Sequence, residues 1–88
     1  MQLRYPIAIE PGDDTHAYGV VVPDLPGCFS AGDSYADAVA QAREVISLHL
    51  AFLARNRKAA PLPTDLGDLQ RRAEYAGWMW TEVAVTNG

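Results

Sequence analysis

The stretch Tyr18–Asp33, YGVVVPDLPGCFSAGD, constrains the fold of this chain more than any other. Gly19-Val20-Val21-Val22 is a β-branched run with strand propensity. Pro23 ends its ladder, because proline has no N–H to donate and disfavours helix at the residue before it. Pro26-Gly27 is a turn dipeptide in which proline presets φ and glycine accepts a positive one. Cys28-Phe29-Ser30-Ala31 extends again, and Gly32-Asp33-Ser34 opens a helix. The information here is architectural: strand, rigid turn, second strand, helix mouth.

The flanking segments complete a sheet. Leu3, Tyr5, Ile7 and Ile9 alternate with Gln2, Arg4, Ala8 and Glu10, the period-2 pattern of a half-buried strand. Pro6 falls within it, which points to a sheet edge or a bulge. Pro11-Gly12-Asp13-Asp14 is a turn, so the strand over Ala17–Val22 is expected to pair antiparallel with the first. Tyr18, Val20 and Val22 share one face; Gly19 and Val21 take the other. A third short strand around Phe29 continues the meander.

The periodicity then changes. Tyr35, Ala38, Val39, Ala42, Ile46, Leu50 and Leu53 follow helical spacing, with Val45, His49 and Phe52 widening the stripe, so a helix is predicted over Tyr35–Arg55. Ser34 is its N-cap, with Asp37 at capping-box spacing and Asp33 adding negative charge at the positive dipole end. Arg55, Arg57 and Lys58 suit the other end. The stripe is wide for a helix on one small sheet, which fits either a well-sunk helix or one that also meets another subunit. Ala59–Thr64, with two closely spaced prolines, is an extended linker. Asp65–Ala76 is predicted as a short second helix capped by Thr64, with Leu66, Leu69 and Ala73 on one side and Gly67 weakening it. Trp78–Thr86 is the last strand, with Met79, Thr81, Val83 and Val85 on one face and Trp78, Trp80, Glu82 and Ala84 on the other. Asn87-Gly88 is a turn dipeptide. The order is β-β-β-α-(α)-β: an α+β fold with a mainly antiparallel sheet and one main helix packed on a face.

Bulk properties exclude several classes. With 88 residues, one domain spanning 1–88 is expected, with 49% hydrophobic content sufficient for a core. A domain this small gains from oligomerisation or a partner. Seven Lys/Arg against eleven Asp/Glu give a formal net charge of −4, which disfavours unspecific nucleic-acid binding and permits a basic protein partner. The single cysteine forms no internal disulfide or thiolate metal cluster, and the N-terminus has no long apolar run, so a reducing cytoplasm is the expected location.

Candidate chemistry is sparse. The carboxylates available to a metal-dependent nuclease are Glu10, Asp13, Asp14, Asp24, Asp33, Asp37, Glu44, Asp65, Asp68 and Glu82, and each has a structural explanation as turn, cap or surface charge. His49 lies near the apolar stripe and reads as packing; His16, at the hairpin mouth, reads as exposed. No His/Cys spacing suits zinc, and no metal or cofactor is expected. Cys28 reads as a small buried hydrophobe. Trp78 and Trp80 share a face of the last strand and either form an interaction surface or pack beneath residues 65–76.

YPIAIEPGDD, YGVVVPDLPGCFSAGD, SYADAVAQARE and EYAGWMWTEVAV together resemble the HicB family of antitoxins, in order and at matching spacing over nearly the whole chain. PDLPGCFSAGD is the specific part. The resemblance implies a partial RNase H-like fold and a non-enzymatic role in a type II toxin–antitoxin pair. The partner it implies is a HicA-type toxin, a small basic mRNA interferase, together with a homo-oligomer, dimer or tetramer. It implies DNA binding only through a C-terminal helix-turn-helix or ribbon-helix-helix segment. Residue 88 follows directly on the last strand, so no DNA-binding domain is expected within 1–88. Asp24 is then either a contact for the basic toxin or a turn cap, and Asp24, Trp78 and Trp80 are the candidate toxin or oligomer interface. The alternatives are a metal-dependent RNA-processing nuclease on a reduced RNase H-like scaffold and an orphan oligomeric module.

Overall fold

The computed structural model of the chain describes residues 2–86. Strands β1 (Gln2–Glu10), β2 (Tyr18–Val21), β3 (Phe29–Gly32) and β4 (Met79–Thr86) form one sheet in the order β3-β2-β1-β4, with every pairing antiparallel. Helix α1 (Tyr35–Arg55) lies on one face; a short helix α2 (Leu66–Gln70) and a 3₁₀ turn (Ala73–Tyr75) precede β4. The α+β order read from the sequence holds, as do both faces assigned to β1 and β4. The turn expected at Asn87-Gly88 lies outside the described residues.

Alternation decides which face carries the helix. Leu3, Tyr5, Ile7 and Ile9 of β1, Val20, Val22, Val83 and Val85 join Ala38, Ala42, Ile46 and Leu50 of α1 in one core, with Leu25 and Cys28 closing its end. The small residues come early in α1, where it crosses β3. A Cβ on Gly32 would lie 2.4 Å from the Ala38 nitrogen, so glycine here is what lets the helix start sit directly on the strand. The Ser30 hydroxyl donates to the Ala38 carbonyl at 3.4 Å across the same contact.

Both ends of α1 follow local rules. Asp37 N–H donates to Ser34 Oγ at 3.1 Å, the expected cap, but the Asp37 carboxylate accepts from the N–H of Asp33 and not from that of Ser34. At the other end Lys58 N–H donates to the Leu53 carbonyl and Arg57 N–H to that of Ala54, the paired bonds of a Schellman motif. Arg57 occupies its left-handed position with φ of 56°, which glycine adopts at lower cost.

Four expectations are corrected. Pro6 lies in an interior strand, but the β1–β2 ladder covers only Ala8–Glu10, so beyond it β1 is locally an edge and the missing N–H is tolerated. The second helix does not run over 65–76: it stops at Gln70, and the chain turns again at Ala73–Tyr75. Its N-cap residue is Asp65; Thr64 is used elsewhere. Tyr35 and Phe52, placed on the core stripe by spacing, are exposed, because the sheet is narrower than the stripe.

Two substitutions test these contacts. Gly32→Ala is expected to lower unfolding free energy by about 2 kcal/mol, since strand and helix must separate. Arg57→Gly is expected to raise it by about 0.5–1 kcal/mol by relieving the left-handed backbone. Urea denaturation measures both, with unchanged m-values.

A candidate protein-interaction surface

The Pro23–Gly27 segment is a double turn. Leu25 N–H donates to the Val22 carbonyl and Cys28 N–H to that of Leu25, both at 3.0 Å, and Val22 N–H closes the loop on the Cys28 carbonyl at 3.2 Å. Gly27 takes φ of 82°, as the Pro-Gly dipeptide requires. This rigid loop holds Asp24 half-buried, and both carboxylate oxygens are taken up by Thr64, one by its N–H at 3.0 Å and the other by its hydroxyl. Nearby, the hydroxyl of fully buried Tyr5 donates to the Pro61 carbonyl at 2.5 Å. Burial, and secondarily the Asp24 charge, push the Tyr5 phenol above its ordinary value.

These bonds tie the linker between α1 and β4 to β1 and to the Pro23–Gly27 turn. Ala60 still packs against the main core, on the α1 side. Leu69 is fully buried yet stands outside that core. Tyr75 sets its ring edge-on to Trp78 and Trp80, with centroids 5.4 and 5.3 Å away. Trp80 is in register with Ala8, and therefore on the face opposite α1. Burial, then Glu74, raise the Tyr75 phenol; Arg72 opposes them.

Register extends that aromatic cluster across the sheet. Phe29 pairs with Val21, Val21 with Ala8 and Ala8 with Trp80, so one apolar row crosses all four strands on the face opposite α1, with Ala8 itself fully buried. Its β4 end is half-buried under Tyr75, whereas Phe29 at the β3 end is 62% exposed. Leu48 and Phe52, exposed one turn apart on α1, form a separate patch. Trp78 and Trp80 thus both stack against the connecting segment and reach solvent. Asp24 sits apart in the turn. Phe29 escaped sequence reasoning because its neighbours depend on strand register; its large side chain on a short edge strand was the available signal.

Three of the candidate carboxylates, Asp13, Asp14 and Asp33, share one depression. Among the described residues no group of three or more His, Cys, Asp or Glu side chains could hold a metal ion. Asp13, Asp14, Thr15, His16, Ala17 and Asp33 line a shallow depression of about 450 Å³. Within it Asp13 is spent on its own loop: it accepts from Thr15 N–H at 2.8 Å and from the Thr15 hydroxyl at 3.0 Å, and the His16 Nδ1 lies 2.9 Å away. The Thr15 N–H, then the His16 ring, hold the Asp13 carboxyl below its usual range. Cys28 is buried, and burial raises its thiol. No helix among the described residues is long and apolar enough to cross a membrane.

A small antiparallel sheet thus carries one long helix on one face and an aromatic cluster on the other. The profile of a family described as the HicB-like antitoxin of bacterial toxin–antitoxin systems matches residues 5–87. The chain belongs to this HicB-like antitoxin family. It is 38% identical to an uncharacterized 14.9 kDa protein from the rep-hol intergenic region of Haemophilus phage HP1, over 94% of this chain and 61% of that one. Its fold is similar to the N-terminal domain of the Burkholderia pseudomallei antitoxin HicB (TM-score 0.83, 33% identity, 96% of this chain and 99% of that chain). It is also similar to a chain of a HicA3–HicB3 toxin–antitoxin complex (TM-score 0.71, 26% identity, 91% and 94%). The chain spans 61% and 46% of the lengths of two curated relatives, the phage protein and a Photorhabdus laumondii antitoxin, HicB 2.

Burial sets an alkaline limit on stability. The Cys28 thiol and the Tyr5 and Tyr75 phenols all titrate higher in the folded chain, so the unfolded chain ionises first as pH rises. Unfolding free energy is expected to hold below the ordinary thiol value of 9.0 and to fall as pH passes that value and then the phenol value of 10.0. Chemical denaturation at a series of pH values measures this. Asp24→Ala, which strips Thr64 of its acceptor, is expected to cost about 1–3 kcal/mol in the same assay.

Proposed function

We propose that this chain is the toxin-binding domain of an antitoxin that neutralises a small basic HicA-type mRNA interferase by covering its active face. The observation that carries the reading is fold likeness over nearly the whole chain to an antitoxin domain, and to a chain within a toxin–antitoxin complex. The role requires no catalytic residue. Net charge of −4 favours a cationic partner.

The docking surface in this reading is the sheet face opposite α1. Trp78 and Trp80 supply rigid aromatic area already half-desolvated by Tyr75, the character of interface anchors. Phe29 and Val21 extend it. Asp24 offers a fixed negative charge in the rigid turn, its carboxylate oriented by Thr64. Assembly of the antitoxin into a homo-oligomer belongs to the same proposal, and DNA contact belongs to it only through a segment beyond these residues.

Calorimetric titration with a purified HicA-type toxin tests the assignment. Trp80→Ala and Phe29→Ser are each expected to weaken binding about tenfold or more, about 1.4 kcal/mol. Asp24→Asn removes the charge but keeps an acceptor for Thr64, so it is expected to weaken binding while leaving stability within about 1 kcal/mol of the parent. Unaltered affinity in all three variants would place the toxin elsewhere, and no binding by the parent chain would refute the antitoxin reading.

A further inference from the structure

Charge is unevenly spread along this chain. Residues 45–64 hold three of its seven Lys/Arg, namely Arg55, Arg57 and Lys58, and none of its eleven Asp/Glu. These cations close α1 and begin the linker, so one end of an acidic protein is basic. The dipole of α1 accounts for only about half a charge there. Capping does not use the cationic side chains either. The Phe52 carbonyl accepts from the Asn56 side-chain amide at 2.7 Å, and the Leu53 and Ala54 carbonyls accept from the backbone N–H groups of Lys58 and Arg57. Ion pairs among the described residues are His16–Asp13 and Arg71–Asp68. All three cations are exposed.

Large apolar side chains stand beside this charge. Leu48 is 65% exposed and Phe52 53%. Helical spacing puts Glu44, Leu48, Phe52 and Arg55 in one row along the outer side of α1, and all four are exposed. The row runs from a negative charge, through two apolar side chains, to the basic end.

We propose that this row docks an acidic amphipathic helix of a protein partner, laid antiparallel to α1. In that direction the first turns of the partner helix lie against Arg55, Arg57 and Lys58. Asp and Glu in those turns answer the cations and also suit the positive end of their own dipole. Apolar residues at spacings of three and four then pack on Leu48 and Phe52. A neutral or basic residue beyond them meets Glu44. Charge and area select this occupant over others. Three cations neutralise too few phosphates to hold a nucleic acid on a chain of net charge −4. A membrane needs a broad apolar face, and that of α1 is spent on the sheet through Ala38, Ala42, Ile46 and Leu50. A second copy of this row offers only Glu44 to the three cations. A cationic toxin is repelled here, so the acidic helix and the toxin use different surfaces.

Fluorescence anisotropy of a labelled probe peptide tests this on the 88-residue chain. The probe is a helix of about 18 residues, roughly 27 Å long, with Glu in its first turns and Leu at helical spacing after them. A dissociation constant below about 100 μM at low salt is expected, weakening as salt is added. Phe52→Ser, and separately the pair Arg55→Glu with Lys58→Glu, are each expected to weaken binding at least about tenfold. The charge-reversed pair is expected to prefer the same peptide carrying Lys in place of Glu, a gain that a misfolded variant would not show. No binding by the parent, equal binding of a peptide with Gln in place of Glu, or affinity indifferent to these variants would overturn the proposal. So would tighter binding of phosphatidylglycerol vesicles or of an oligonucleotide that the same variants abolish. A parent whose doubled mass is halved by Phe52→Ser, with no peptide bound, would give the row to a second copy and overturn it as well.

Discussion

The second face of this sheet depends on two hydrogen-bonded ties to one linker. Asp24 holds Thr64, and Tyr5 holds Pro61. They act beside the part of β1 that has no β2 partner. Without them, the residues between α1 and β4 would be a proline-interrupted loop with little to bury except Leu69. With them, Tyr75 is delivered to Trp78 and Trp80, and the face opposite α1 gains an aromatic cluster. The clasp is polar and partly buried, so its value lies less in net stability than in what an unpaired Asp24 or Tyr5 would cost.

Much of this fold is legible in the sequence because local and long-range signals agree. Ser34, the α1 spacing and the Lys/Arg-rich end mark both termini of the helix. Alternation in β1 and β4 marks the buried face, and Pro23 and Pro26-Gly27 mark the double turn. Agreement of this kind is what makes a short chain specify one structure. The second helix failed for a local reason: Asp65–Ala76 carries a helical apolar pattern, but Gly67 and the weak burial of Leu66 and Ala73 give the helix little to hold it past Gln70. Thr64 leaves the helix start for a tertiary reason. Its capping chemistry is real, but the acceptor it meets is Asp24, forty residues earlier.

The candidate surface was less legible than the fold. Trp78 and Trp80 announce themselves by residue type. Phe29 becomes significant only once Val21, Ala8 and Trp80 fall into one row, and register across three ladders is not written in any one segment. Asp24 shows the converse: a charge in a rigid turn suggests a binding contact, yet the structure gives it an internal partner that orients it. The acidic residues follow the same logic, with Asp13 and Asp37 spent on a loop and a helix start.

The central claim is that the sheet face opposite α1, not the outer surface of α1, receives the toxin. Hydrogen–deuterium exchange of the chain with and without a HicA-type toxin tests it most directly. Protection on binding is predicted for β2, β3 and residues 73–80, with the exposed side of α1 around Leu48 and Phe52 unchanged. Protection confined to α1, with β3 and the Trp78–Trp80 segment exchanging as in the free chain, would contradict the account.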